Sequence, residues 1–127
     1  MKKRVSPIPY KDLLMLGLSG ISEWKNEREM FVPGGYFLED CKCSFTAEFL
    51  DDGKYIMRCH DASGLKWWMY NYRYEERHGK SIWWRPNGVK QSEIYYKNGL
   101  KHGNYVDWDE GGHILLNNVY INGHLML

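Results

Sequence analysis

The chain has 127 residues, 17 of them basic and 16 acidic, for a net charge of +1. Nothing in that balance draws it to nucleic acid or anionic lipid, and the length is that of one domain. Hydrophobic residues make up 43%, enough for a core, while no run reaches the roughly 20 apolar residues of a membrane helix.

Six Trp, ten Tyr and four Phe stand against two alanines, Ala47 and Ala62. Many aromatics and few strong helix formers favour sheet. Three cysteines cannot all pair. With no convincing export signal, they point to a reducing, cytoplasmic setting.

In chain order, residues 1–4 are basic and residues 13–18 apolar, but Pro7, Pro9, Lys11 and Asp12 interrupt the join. That is not the pattern of a secretory signal. Pro9 can open a helix and Asp12 suits its first turn. Leu13, Leu14, Leu16, Leu18 and Ile21 give an apolar surface, and Gly17 and Gly20 limit its length. Residues 1–29 are therefore expected to form a short helical or irregular cap over one end of a sheet, anchored by Trp24. Residues 25–29 form a solvated, charged turn within it.

Residues 30–36 are strand-like but broken by Pro33, Gly34 and Gly35. Residues 36–50 predict a strand pair or one long bent strand, and 51–53 a turn. Residues 54–60 predict a strand, 61–64 a turn and 65–74 the return. Residues 30–78 thus hold degenerate hairpins feeding a common sheet.

From residue 79 the chain repeats itself at an offset of 24 residues. The offset relates Gly79 to Gly103, Trp84 to Trp108 and Gly88 to Gly112. It also relates His78 to His102, Tyr96 to Tyr120, Asn98 to Asn122 and Gly99 to Gly123. Ile82 and Val106 keep it by a like-for-like swap, as do Arg77 and Lys101. Such self-similarity dictates an architecture. Each unit reads as a β-hairpin: a strand over 80–85, a turn at Pro86, Asn87 and Gly88, a return strand over 89–96, then a turn at 97–99. Asn-Gly tolerates the positive φ that tight turns need. Alternation places Ile82 and Trp84 on one face and Trp83 on the other. Because Asp107 takes the place of Trp83 in the next unit, Trp84 and Trp108 are the expected core pair and Trp83 is expected at the surface. Tyr96 and Tyr120 are expected to stack in a second column. Hairpins this short must lie against one another, which predicts a mainly β fold: a meander of antiparallel hairpins in one elongated twisted sheet.

The pattern Gly-x-Tyr/Trp-x-x-Trp, then Asn-Gly, then Tyr-x-Asn-Gly-x-x-x-Gly resembles MORN-type repeats. It is most similar to the bacterial variant whose members are often assigned as antitoxins of toxin–antitoxin pairs. Gly79, Trp84, Asn87, Gly88, Tyr96, Asn98, Gly99, Gly103, Tyr105, Trp108, Gly112, Tyr120, Asn122 and Gly123 carry the resemblance over the last third of the chain (residues 79–127). A weaker echo, Ser63-Gly64-Leu65-Lys66, precedes Asn87-Gly88-Val89-Lys90 by the same offset.

Candidate chemistry is sparse. Cys41, Cys43, Cys59 and His60 are the only zinc-like set, but Cys41 and Cys43 share one face of a single strand without knuckle spacing, as buried thiols do. His78 and His102 occupy one repeat position, which suits a turn better than catalysis; His113 and His124 lie on or near other turns. Glu75, Glu76 and Arg77 read as a solvated charge cluster. The Gly17-Leu18-Ser19-Gly20 stretch falls short of a nucleophile elbow, and no phosphate-binding loop is present. No enzyme activity, metal or cofactor is expected.

The aromatic run is the surface candidate. Alternation puts Trp68, Tyr70, Tyr72 and Tyr74 on one face and Trp67, Met69, Asn71 and Arg73 on the other. Two aromatic faces exceed what one side of a thin sheet can bury, and Trp, Tyr, Met and Arg are enriched at interfaces. The expected partner-binding residues are Trp67, Trp68, Tyr70, Tyr72, Arg73, Trp83 and Arg85. The resemblance implies a non-catalytic protein that neutralises a partner by occlusion, either a toxin or, for a phage-borne inhibitor, a defence nuclease. Alternatives are single-stranded nucleic-acid binding through Trp67, Trp68, Arg73, Trp83 and Arg85, and membrane-surface scaffolding from residues 1–18. Charge balance argues against strong binding of either kind. The strand after Tyr120 ends in Leu125, Met126 and Leu127, an apolar edge that invites a homodimer or a partner.

Overall fold

Two kinds of turn, alternating along the chain, set the architecture. The first closes a hairpin with a four-residue reversal. The Asp61 amide donates to the Leu65 carbonyl (3.0 Å), Arg85 to Val89 (2.8 Å) and Asp109 to His113 (2.8 Å). Each reversal ends at a glycine with φ near 87°: Gly64, Gly88 and Gly112. The second joins hairpins through left-handed Asn98 and Asn122, at φ 50° and 48°. Asparagine is the side chain that tolerates this region best. Here the Nδ1 of His78 accepts the Asn98 amide (3.2 Å) and that of His102 the Asn122 amide (3.1 Å). The repeated histidines hold turns, as their position implied.

A computed structural model describes residues 10–18, 23–32 and 44–127. Its elements are helix α1 (Tyr10–Leu18) and strands β1 (Glu29–Val32), β2 (Ser44–Phe49), β3 (Lys54–His60), β4 (Lys66–Arg73), β5 (Glu76–Trp84), β6 (Lys90–Lys97), β7 (Leu100–Trp108), β8 (Ile114–Ile121) and β9 (His124–Met126). The strands pair in sequence order into one open antiparallel sheet. The mainly β meander with a short helix near its start is the predicted fold. Of the strand pair or long bent strand predicted over 36–50, the part before residue 44 lies outside the described residues, as do Cys41 and Cys43.

The 24-residue period reaches further upstream than the sequence pattern alone indicated. Register shifts at Cys59/His60, Trp83/Trp84 and Asp107/Trp108 recur at that spacing, as do those at Tyr70/Tyr72 and Ile94/Tyr96. The hairpin of β3 and β4 is thus a third structural copy, its sequence diverged and its turns kept.

The register assigns every side chain to a face. On the inner face, Val32, Phe45, Cys59 and Trp68 form one row that continues through Trp83, Ser92, Asp107 and Leu116. A second row runs Met30, Ala47, Met57, Tyr70, Ser81, Ile94, Tyr105, Asn118. The start of each row is buried and forms a single cluster with Phe49, Tyr55 and Tyr72. Leu13 of α1 is buried in the same cluster, and Tyr10 meets the rings of Phe49, Tyr55 and Tyr74. The helix lies on the inner face of the first strands. Trp24 bridges Met30 and packs against Phe49, the expected anchor.

This corrects the choice of core tryptophan. Trp83, expected at the surface, packs against the core cluster and donates its indole N–H to the Tyr70 hydroxyl (2.9 Å). Trp84 points to the outer face, where the Lys66 ammonium sits 5.3 Å from its ring centre. Asp107 replaces Trp83 in the next unit because β7 lies beyond the buried region; the repeat reports what recurs and not which face is covered. The column of Tyr96 and Tyr120 also differs from expectation: cations lie over these rings, as described below.

Ser81 is fully buried between Tyr70 and Ile94, and its hydroxyl has no hydrogen-bond partner among the described residues. A buried, unpaired hydroxyl opposes folding. Ser81→Ala should therefore raise stability by about 1 kcal/mol, read as a higher denaturant midpoint with unchanged slope.

Candidate protein-binding surface

Burial divides the sheet into unequal halves. Over β1 to β4 the inner face is core. Over β6 to β9 Ile94 alone is buried, and the rest of both faces is partly or fully open to solvent. Ile114 (60% exposed), Leu115 (65%), Val119, Ile121 and Met126 are large apolar residues in contact with solvent. By register Ile114, Val119, Ile121 and Met126 share the outer face with Leu100, Val106 and Trp108. The two sheet edges also differ. The outer side of β1 is paired, since the Phe31 amide donates to the Glu23 carbonyl (2.8 Å) and Trp24 bridges Met30. Among the described residues no strand pairs with the outer side of β9.

The candidate residues named from the sequence do not form one patch. Trp68, Tyr70 and Tyr72 are 4–8% exposed and belong to the core cluster, so a partner cannot reach them without unpacking it. Burial corrects their assignment as contact residues. Trp67 is 43% exposed beside the Asp61 turn. Arg85 is near the same margin, where its Nη2 donates to the Trp108 carbonyl (2.8 Å). Arg73 is at the opposite margin, paired with Asp52 (2.9 Å) and lying over Tyr74. Trp83 is half-buried at the boundary between the covered and open halves. Tyr74 does not continue the row of Tyr70 and Tyr72 but sits in a turn at φ 53°.

The sequence reading missed a different set. Arg77 is not a solvated charge. Its guanidinium carbon lies 4.4 Å from the ring centre of Tyr70, 5.8 Å from Trp83 and 5.3 Å from Tyr96. Its Nη1 donates to the Tyr96 hydroxyl (3.3 Å). One repeat later the Lys101 ammonium lies 5.1 Å from both Tyr105 and Tyr120. The signal was available in the Arg77–Lys101 correspondence. Beside the row of Arg77, Tyr96 and Lys101 a cleft of about 260 Å³ is lined by Trp83, Gln91, Ser92, Ile94 and Tyr105. Asp107 accepts the Ser92 hydroxyl at its rim (2.6 Å). Burial first, and then the Asp107 carboxylate, push the Tyr105 phenol up.

The outer face is charged differently. Lys80 and Lys90 both pair with Glu93 (3.1 and 3.2 Å), and Arg58 with Glu48 (2.8 Å). Burial alone would raise the Glu93 carboxyl, but its two lysine partners outweigh that and hold it below 4.5. Hydrogen bonds hold Asp61 and Asp109 below 3.8: chiefly the Ser63 hydroxyl in one case and the His113 amide in the other. His60 is held below 6.5 by burial, then by Arg58 and Lys66. All four folded values lie below the unfolded ones, so on acidification the unfolded chain takes up protons first. Their stabilisation is complete above the unfolded values and is lost as pH falls through the folded ones. Denaturant midpoints should fall in two stages, starting below 6.5 for His60 and below 4.5 for the carboxylates. His60→Gln should remove the first stage, and Glu93→Gln should flatten the second.

Among the described residues no group of three His, Cys, Asp or Glu side chains is placed to hold a metal ion, and no helix is long and apolar enough to cross a membrane. Cys59 is buried in the core, while His60, the next residue, lines a separate small pocket with Arg58, Lys66 and Trp84. No protein-family model, curated protein or solved structure matches this chain.

Proposed function

We propose that this chain is a non-catalytic, cytoplasmic binding protein that inhibits a partner protein by covering it, in the manner of an antitoxin or immunity protein. The partner would be a toxin or an effector nuclease. One observation carries the reading: the last hairpins present Ile114, Val119, Ile121 and Met126 on one solvent-facing surface. Clustered apolar residues left in water mark places where another protein docks. The resemblance of residues 79–127 to MORN-type repeats of antitoxin-like proteins points the same way.

Single-stranded nucleic-acid binding fits the geometry less well. Bases stack on free ring faces, and Arg77 and Lys101 already lie over Tyr70, Tyr96, Tyr105 and Tyr120.

The test is co-purification of the full chain with proteins of its host, followed by assay of the captured partner. An equimolar amount should abolish the partner's activity. A variant carrying Ile114→Ser, Val119→Ser and Ile121→Ser should keep its circular dichroism spectrum and lose the complex. Partner activity undiminished at equimolar ratio, or a complex indifferent to the triple variant, would refute the reading.

A further inference from the structure

The cations of the two faces are used differently. In the middle of the outer face Lys80, Lys90 and Arg58 are neutralised by Glu93 and Glu48. On the inner face neither Arg77 nor Lys101 has a carboxylate partner among the described residues; each rests on tyrosine rings. Asp107, the nearby acid of that face, is engaged by the Ser92 hydroxyl. Both cations are half-buried and held in place by their rings. Ordering them is a cost already met in folding, so an arriving anion need not meet it again.

Their arrangement limits what that anion can be. β5 and β7 are two strand spacings apart, about 10 Å, and Tyr96 on β6 lies between them. The adjoining cleft has Trp83, Ile94 and Tyr105 in its walls. An extended peptide advances roughly 3.3 Å per residue and presents alternate side chains to one side. Two acidic residues four positions apart, with an aliphatic residue midway, match two cations beside a cleft whose walls include Trp83, Ile94 and Tyr105, once their flexible side chains converge.

We infer that the inner face of β5 to β7 binds an acidic, extended segment of the partner, its carboxylates on Arg77 and Lys101 and an aliphatic side chain in the cleft between Trp83, Ile94 and Tyr105; this rests on the protein-binding reading above. Two cations are too few to hold nucleic acid, where affinity comes from neutralising many phosphates. They are also too few and too recessed to hold an anionic bilayer.

The probe is a fluorescein-labelled peptide with the core Glu-Ser-Leu-Ser-Glu, titrated with the full chain and followed by anisotropy. Saturable binding is expected, weakening with salt and absent for the Gln-Ser-Leu-Ser-Gln peptide. Lys101→Glu should weaken it at least about tenfold, the loss expected for one charge-assisted contact. Lys97→Glu, a charge reversal on the outer face, should leave it unchanged. Arg77 also supports Tyr70, so Arg77→Lys serves as the second variant: it keeps the charge, loses the fork, and should weaken binding while the chain stays folded. No binding of the acidic peptide, or equal binding by Lys101→Glu, overturns the inference. So does tighter binding of oligothymidylate or phosphatidylserine vesicles through the same residues. Any of these results with a partner complex that still forms through the β8 surface would leave the protein-binding reading standing. Loss of that complex's dependence on β8 would bring down the reading itself.

Discussion

Trp83→Ala should cost about 3 kcal/mol, and Trp84→Ala about 1 kcal/mol. The two residues are neighbours of identical type and comparable exposure, so composition gives no reason for a difference. Geometry does. Trp83 packs on the core cluster, meets Tyr70 edge to face at 5.3 Å and donates its indole N–H to the Tyr70 hydroxyl. Truncation removes that packing and leaves a buried hydroxyl short of its donor. The half-exposed position of Trp83 places the cost at the lower end of what large aromatic truncations show. Trp84 lies on the outer face against the Lys66 side chain, so its loss exposes little. Trp108→Ala should resemble Trp84→Ala. Chemical denaturation of the three variants decides the matter, and a larger loss for Trp84 would mean that the sheet faces have been assigned the wrong way round.

A second large effect is expected at Gly79. Its φ of 109° is a conformation that side-chain-bearing residues rarely adopt, and an added Cβ would lie 3.1 Å from the Asn71 Cβ. Opposite it, β4 and β5 shift register between Tyr70 and Tyr72, and the Asn71 side-chain Nδ2 donates to the Lys80 carbonyl (2.7 Å). The glycine lets the strands approach closely enough for that shift. Gly79→Ala should cost about 2–3 kcal/mol through backbone strain and the contact together. Gly103 repeats the arrangement at φ 114°, with the Tyr95 Cβ 3.2 Å from the added atom, and should behave alike. Gly88 has φ 87° but open space around it, so Gly88→Ala should cost about 1 kcal/mol less than Gly79→Ala. Equal losses at Gly79 and Gly88 would show that the close approach to Asn71 contributes nothing.

These positions separate what was legible in the sequence from what was not. Hairpins and turns could be read because they depend on local chemistry: Asn98, Gly99 and Gly88 specify backbone conformations, and their recurrence fixes the strand lengths between them. The strand over 54–60, its turn and its return were legible for the same reason. The identity of the core could not be read from the repeat, because the cluster that holds Phe45 and Tyr70 also includes Leu13 and Tyr10 of a non-repeating segment, with Tyr10 packed on Phe49 and Tyr55. Arg77 was misread for a related reason. Between Glu76 and His78 it looks like part of a solvated run, and only the pairing of β4, β5 and β6 brings Tyr70 and Tyr96 beneath it. The open end was half legible: Leu125 and Met126 were expected at the surface, but Ile114, Val119 and Ile121 read as ordinary strand residues until their faces were known.

The order of the strands governs how the chain reaches this state. From β2 to β9 successive strands pair across a short turn, so little chain entropy is lost before those contacts form. Such a topology can zip from any hairpin outward, and rapid folding follows from it. Damage at β8 or β9 should stay there, since among the described strands each pairs only with its neighbours in the sheet order. The end with the exposed apolar face can therefore accumulate substitutions without threatening the end that keeps the molecule folded.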